Sequence, residues 1–205
     1  MISFHTNHRL LLVVPVTVFT LLSLGIAWVP AMHQKALHAD AEAAPVPAEV
    51  ARGRAIYQAE GCAFCHTQQV RQDTRRPADA EGRFPPLEQD ARYGAPSRPK
   101  DYGDQDPPFL GTGRTGPDLQ NVGVRLPSAD WHYTHLFDPR AVVPRSKMPA
   151  YRWYFHGKAD RREGDRRVLL PVAAQERLGK GVEVWATPDA QALIAYLLSL
   201  KPVEK

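Results

Sequence analysis

Cysteine is scarce in this chain: Cys62 and Cys65 are the only two in 205 residues. Thiols three residues apart exclude a disulfide-stapled framework, and any sulfur chemistry must involve both together. Methionine is nearly as rare, with Met1, Met32 and Met148 the full set. No internal repeat is visible, and no stretch alternates apolar and polar residues as a half-buried strand would. Charge of one sign does not dominate either. The 26 Lys+Arg against 22 Asp+Glu leave a formal net charge of +4, a mixture that argues against a dedicated nucleic-acid binder. With 43% apolar and 23% charged residues the chain can build a packed core. Its 19 prolines and 14 glycines make up roughly 16% of the residues, against an average of about 12%, so much of the chain must be loop.

Another absence is local. From Leu10 to Met32 there is no Asp, Glu, Lys or Arg over 23 residues. As a helix this run extends roughly 34 Å, against about 30 Å of bilayer hydrocarbon. Pro15 and Gly25 are tolerated in lipid, and Trp28 falls where an interfacial aromatic sits. The pattern predicts an uncleaved membrane anchor over residues 1–35. The competing reading is a signal peptide cut near Ala39-Asp40-Ala41, although that site lies well past an apolar run already long for a leader. Flanking charge does not fix orientation, since Arg9 and the amino terminus oppose Lys35. Residues 36–49, rich in Ala and Pro, read as a tether, and residues 50–205 as one domain.

Within that domain three helices are expected. Glu49–Ala59 places Val50, Gly53 and Tyr57 on one face. Ala129–Phe137 is stopped by Asp138-Pro139. Asp189–Leu200 follows a Thr187 N-cap and Pro188, and carries an apolar stripe of Leu193, Tyr196, Leu197 and Leu200. The expected fold is mostly α with long loops, and with insertions at about 67–115 and 152–186. Residues 147–180 hold nine Lys+Arg against four acids, which reads either as a solvated face or as a patch facing a partner.

Chemistry concentrates at Cys62-Ala63-Phe64-Cys65-His66. In C-x-x-C-H two thiols one turn apart reach two porphyrin vinyl groups from one side, and the adjacent His ligates the iron. A thioredoxin-like dithiol would need a βαβ context, and a structural zinc site would need further ligands such as a second Cys pair. A sixth ligand is then required. Met148, bracketed by Pro144 and Pro149, is the only thioether in the soluble part, with His132, His135 and His156 as competitors. Gly116-Pro117-Asp118-Leu119 is a turn by composition. Its functional reading has the Pro117 carbonyl accepting from the His66 ring N–H. Met/His ligation closes the coordination of the iron, which suits a relay rather than a catalyst.

These residues resemble class I cytochromes c: a helix with Gly53 and Tyr57, then CAFCH, GPDL, KMP and a last helix with Tyr196. The resemblance implies that the two terminal helices cross at Gly53 and Tyr196. A narrower likeness lies in the anchor, GCAFCHTQQVR at 61–71, RYG at 92–94, RTGPDL at 114–119 and DWHYTHLFDPRAVVPRSKMPAY at 130–151. Together these resemble the mono-haem subunit II of cbb3-type haem–copper oxidases. The family implies one covalent haem c held by Cys62, Cys65, His66 and Met148, and an electron-transfer subunit that is no enzyme by itself. It further implies the oxidase's catalytic subunit as acceptor, another cytochrome c as donor, and a single pass through the bacterial inner membrane with the haem domain in the periplasm. The chain departs from the pattern in the proline-rich stretch between Arg71 and Tyr93 and in the basic segment after Trp153. A free-standing anchored shuttle, the small subunit of a nitric oxide reductase and a haem enzyme with an open iron site are the alternatives.

Overall fold

The computed structural model describes residues 7–33, 45–103, 105–179 and 181–201. The 36–49 tether falls mostly outside these residues, as does the Ala39-Asp40-Ala41 cleavage site. The chain forms two units, Met1–Ala44 with Pro99–Asp106, and Pro45–Arg98 with Pro107–Lys205.

In the first unit, α1 (His8–Ser23) runs on through a wider π turn at Leu24–Trp28 to His33. Asn7 caps it, its Oδ1 accepting from the N–H groups of Arg9 and Leu10. Over its most apolar window the mean hydropathy is 2.5, and no residue there is buried within the structure. Such a surface is stable only against lipid or another apolar face. Among the described residues it is the one helix long and apolar enough to cross a membrane.

The second unit contains α2 (Ala48–Ala59), α3 (Val122–Arg125), α4 (Ala129–Phe137), α5 (Pro139–Val142), α6 (Val172–Leu178) and α7 (Pro188–Ser199). The three expected helices are present, with ends shifted by one residue in α2 and α7 and not at all in α4. Thr187 Oγ1 accepts from Ala190 N–H at 3.3 Å, the cap that the sequence predicts. Ser128 does the same for α4. α2 packs across α7 at Gly53, where an added Cβ would collide with the Ala192 carbonyl and stand 2.8 Å from Tyr196 Cβ. Hydrogen alone lets the two backbones meet. Around this crossing the core gathers Tyr57, Tyr133, Leu136, Leu193, Ile194 and Leu197.

The fold is mostly α as expected, and three short strands form where no stretch of the sequence alternates. β1 (Phe155–Gly157), β2 (Arg166–Arg167) and β3 (Val184–Ala186) make an antiparallel sheet in the order β1-β3-β2. The reason is length: two- and three-residue strands hold at most one cycle of alternation. β3 shows that one cycle, with Val184 and Ala186 buried and Trp185 half-buried between them. This sheet and α6 give structure to the basic segment after Trp153.

Candidate functional site

The site is built from α2 onward. The helix ends at Ala59, Gly61 turns the chain, and Cys62–Phe64 winds into a single 3₁₀ turn. Both Cys65 N–H and His66 N–H donate to the Cys62 carbonyl, at 3.2 and 2.9 Å, which places the two thiols and the imidazole on consecutive corners of one turn. Cys62 lines a pocket and Cys65 is exposed. Burial pushes the Cys62 thiol up to about 12, so it is protonated at neutral pH.

Residues 112–119 are stitched to this turn by backbone hydrogen bonds. Thr112 N–H donates to Ala63 O, Gly116 N–H to Cys65 O, and Leu119 N–H to Thr67 O at 2.7 Å. The result sets His66 Nδ1 2.7 Å from the Pro117 carbonyl. A carbonyl only accepts, so Nδ1 carries the proton and Nε2 keeps its lone pair. Burial lowers the His66 pKa despite the opposing pull of that carbonyl, so the ring is neutral at pH 7. Gly116 is required for this approach, because a Cβ there would run into the imidazole, 2.8 Å from both ring nitrogens.

Behind this loop lies a charge network that no spacing in the sequence announces. Asp90 and Asp118 are fully buried. Arg114 bonds to both, the Asp118 contact measuring 3.1 Å, and Arg71 adds a bidentate pair to Asp90 at 3.1 and 3.2 Å. Asp118 also accepts from Thr67 Oγ1, from Gln69 N–H at 3.0 Å and from Gln120 N–H at 2.7 Å. Burial alone would raise the Asp90 pKa, but the hydrogen bonds from Arg71 and Arg114 outweigh it and hold the carboxyl well below the usual range. The proline-rich stretch between Arg71 and Tyr93 is therefore tied by its acid to the loop beneath His66.

The pocket is a cleft that opens to solvent. Cys62, His66, Pro117 and Met148 all line it. So do two of the competing histidines. His132 Nε2 stands 2.8 Å from the Leu126 carbonyl and so donates there. His135 lies flat on Trp131, centroids 4.9 Å apart, and its buried Nδ1 has no hydrogen-bond partner among the described residues. His156 does not line the pocket; it sits on β1 with Nδ1 2.7 Å from Asp165. The remaining wall is mostly apolar, with Leu119, Val122, Leu126, Leu136, Leu193 and Leu197.

A family model described as cytochrome c oxidase, mono-heme subunit/FixO matches residues 3–175. The chain belongs to the FixO family. No curated protein matches it. The FixO match stops before α7, yet α7 supplies Leu193 and Leu197 to the pocket wall. One haem is what the family's description names, and the residues fit such a group. The cavity is mostly apolar, and His66, which lines it, keeps the lone pair on Nε2 because Nδ1 donates to Pro117. Val122, Arg125 and Leu126 line the pocket without a motif to mark them, and Arg125 is the charged one. Its guanidinium donates to the carbonyls of Asp118 at 2.7 Å and Gln120 at 3.2 Å and stacks on Tyr93, 4.8 Å from the ring centroid. The available signal was a lone cation in the apolar run Val122-Gly123-Val124-Arg125-Leu126.

Proposed function

We propose that this FixO-family chain carries one haem c and acts as an electron-transfer subunit, not itself the catalyst, of a membrane cytochrome c oxidase. In this reading residues 1–35 anchor it and 36–49 tether it. Residues 50–205 hold the haem on the periplasmic side, taking electrons from another cytochrome c and passing them to the catalytic subunit. Bound haem supplies reversible one-electron chemistry at its iron. The thiols of Cys62 and Cys65 would hold the group covalently, each by adding S–H across a vinyl group with no net oxidation. His66 Nε2 and Met148 would ligate its iron. Pro117 fixes the His66 tautomer by accepting its Nδ1–H, which makes the imidazole a stronger donor. Arg125 gives the pocket a cation for the carboxylates that a haem carries.

The observation that carries this reading is the 2.7 Å contact between His66 Nδ1 and the Pro117 carbonyl, within a turn that also holds both thiols. Denaturing electrophoresis with a haem peroxidase stain tests it. The native chain should stain, and Cys62→Ala/Cys65→Ala should not. A stained double variant, or an unstained native chain matured in a periplasm, overturns the assignment.

The orphaned Nδ1 of His135 favours a second ligand reading, with His135 in place of Met148. Far-red absorption decides between them. A sulfur-to-iron band in the ferric protein that disappears in Met148→His and persists in His135→Ala supports Met148; a native ferric protein without that band, whose spectrum changes in His135→Ala and not in Met148→His, supports His135.

A further inference from the structure

The bond from His66 to Pro117 joins residues 51 apart in sequence, and neither of them can hold it alone. Proline has no N–H of its own, so its carbonyl is placed by its neighbours. The next residue, Asp118, is fully buried, and its carboxylate collects donors from both chain segments. Oδ2 accepts from Thr67 Oγ1, from Gln69 N–H at 3.0 Å and from Arg114 at 3.1 Å; Oδ1 accepts from Gln120 N–H at 2.7 Å. The Asp118 main-chain carbonyl takes the Arg125 guanidinium at 2.7 Å. Thr67 closes the set, its hydroxyl accepting from Arg114 Nε at 2.7 Å while donating to Asp118. The residues that follow His66 therefore hold the residue that follows Pro117. Each of these partners presents a hydrogen to the Asp118 oxygens, a demand that an ionised carboxylate meets in full. An amide would set its own N–H groups against at least one of them. Asp90 offers a contrast within the same network. It is as deeply buried and shares Arg114, yet its described bonds run to Arg71 and Arg114 and not to Thr67, Gln69 or Gln120.

We infer that Asp118 is the positioning residue for His66: through Thr67 and Gln69 it holds the Pro117 carbonyl on Nδ1 and so sets how strongly the ring donates from Nε2. The inference deepens the haem reading above and rests on it. A fixed Nδ1–H···O=C bond makes the imidazole a stronger donor. The Asp118 charge acts in the same sense, because it favours positive charge on the His66 ring. Both effects stabilise ferric over ferrous iron at this ligand, so Asp118 lowers the reduction potential of the site. Asp118 works by place and charge alone; no bond forms and no proton moves.

The test uses the full haem-loaded chain in detergent micelles, with isotope-labelled histidine so that magnetic resonance of the ferrous protein reads the His66 Nδ1–H directly. In Asp118→Asn the exchange of that hydrogen with solvent should quicken about tenfold. At a fixed electrode potential the ferrous-to-ferric ratio should rise about threefold. Asp90→Asn, which also removes a buried charge from Arg114, should lose stability yet leave both readings at their native values. Thr67→Val keeps the shape and every charge but removes the bridging hydroxyl; it should quicken the exchange, and Thr67→Ser should restore it. Equal changes in Asp118→Asn and Asp90→Asn would make Asp118 a general stabiliser and overturn the inference. A Thr67→Val protein whose Nδ1–H exchanges at the native rate overturns it as well, and this arm decides where Asp118→Asn does not fold. A chain that takes up no haem shows no redox wave and sinks the relay reading. Faster Nδ1–H exchange in Thr67→Val than in Thr67→Ser would still establish the positioning role in such a chain.

Discussion

The two walls of the pocket are held in different ways. Beneath His66, residues 67–71, 90 and 112–119 form a block in which two buried carboxylates share one arginine and the backbone is zipped to the CxxCH turn. Around Met148, the loop 143–150 is held at its ends. Asp138 caps α5 in front, Tyr151 N–H donates to Leu136 O at 2.8 Å behind, and Tyr154 Oη reaches Glu60 at 2.6 Å. Between these points the one side-chain bond to the loop backbone is Met148 N–H to Ser146 Oγ, at 3.2 Å among the described residues. One side is cross-linked by charge and the other is suspended between proline brackets. A buried charge network gives little net stability but makes any single loss expensive. A loop with exposed charges tolerates substitution and leaves its surface free for contacts. The division suits a cofactor site in which one ligand is fixed and the other wall faces outward.

The sharpest test is Arg114→Met, which leaves Asp118 buried without a cation and Asp90 with Arg71 alone. Denaturant unfolding should show a loss of about 3–5 kcal/mol; a loss under 1 would mean that the two walls do not differ. Gly116→Ala comes next. The methyl group presses on the His66 ring, and overpacking of this kind costs about 1–3 kcal/mol. The same variant should perturb the haem absorption spectrum, which a mutation far from the ring would leave alone. Met148→His tests the other wall. It should keep low-spin iron while lowering the reduction potential, within the roughly 0.8 V range open to axial ligands. Its unfolding midpoint should move less than that of Gly116→Ala.

Acid separates the walls by another route. Because the folded-state pKa of Asp90 is depressed, its contribution is fully present above the unfolded carboxyl value of about 3.9. It is lost as pH falls from there through the lower folded value. Asp90→Asn should therefore flatten the fall in stability below about pH 4, as followed by circular dichroism. The smallest effect is expected at the suspended wall: Lys147→Gln should change stability by no more than about 0.5 kcal/mol.

How much of this could be read from sequence depended on how far apart the partners lie. CxxCH is local, and so are the caps at Thr187 and the stop at Asp138-Pro139; each was legible because its rule spans a few residues. The Gly53–Tyr196 crossing became legible only through the family likeness, since no periodicity relates residues so distant. Asp90 and Arg114 were illegible for the same reason, and they sit in a stretch whose composition signals only loop. Arg125 was missed because one cation in an apolar run is ordinarily a surface residue. The short strands carried too few residues to show a period.

The α2–α7 crossing has a consequence in time. Gly53 meets Ala192 across about 140 residues, so the contact needs nearly the whole domain to have been made before it can close. The side chains that complete the pocket, Leu193 and Leu197, lie on α7, which is synthesised after the rest of the pocket. Until α7 has emerged and folded back, the CxxCH turn stands beside a groove without its far wall, open to whatever machinery must reach the thiols. Folding of the tail then seals the chamber. A chain cut after residue 175 should therefore retain reactive cysteines but bury little of what is attached to them.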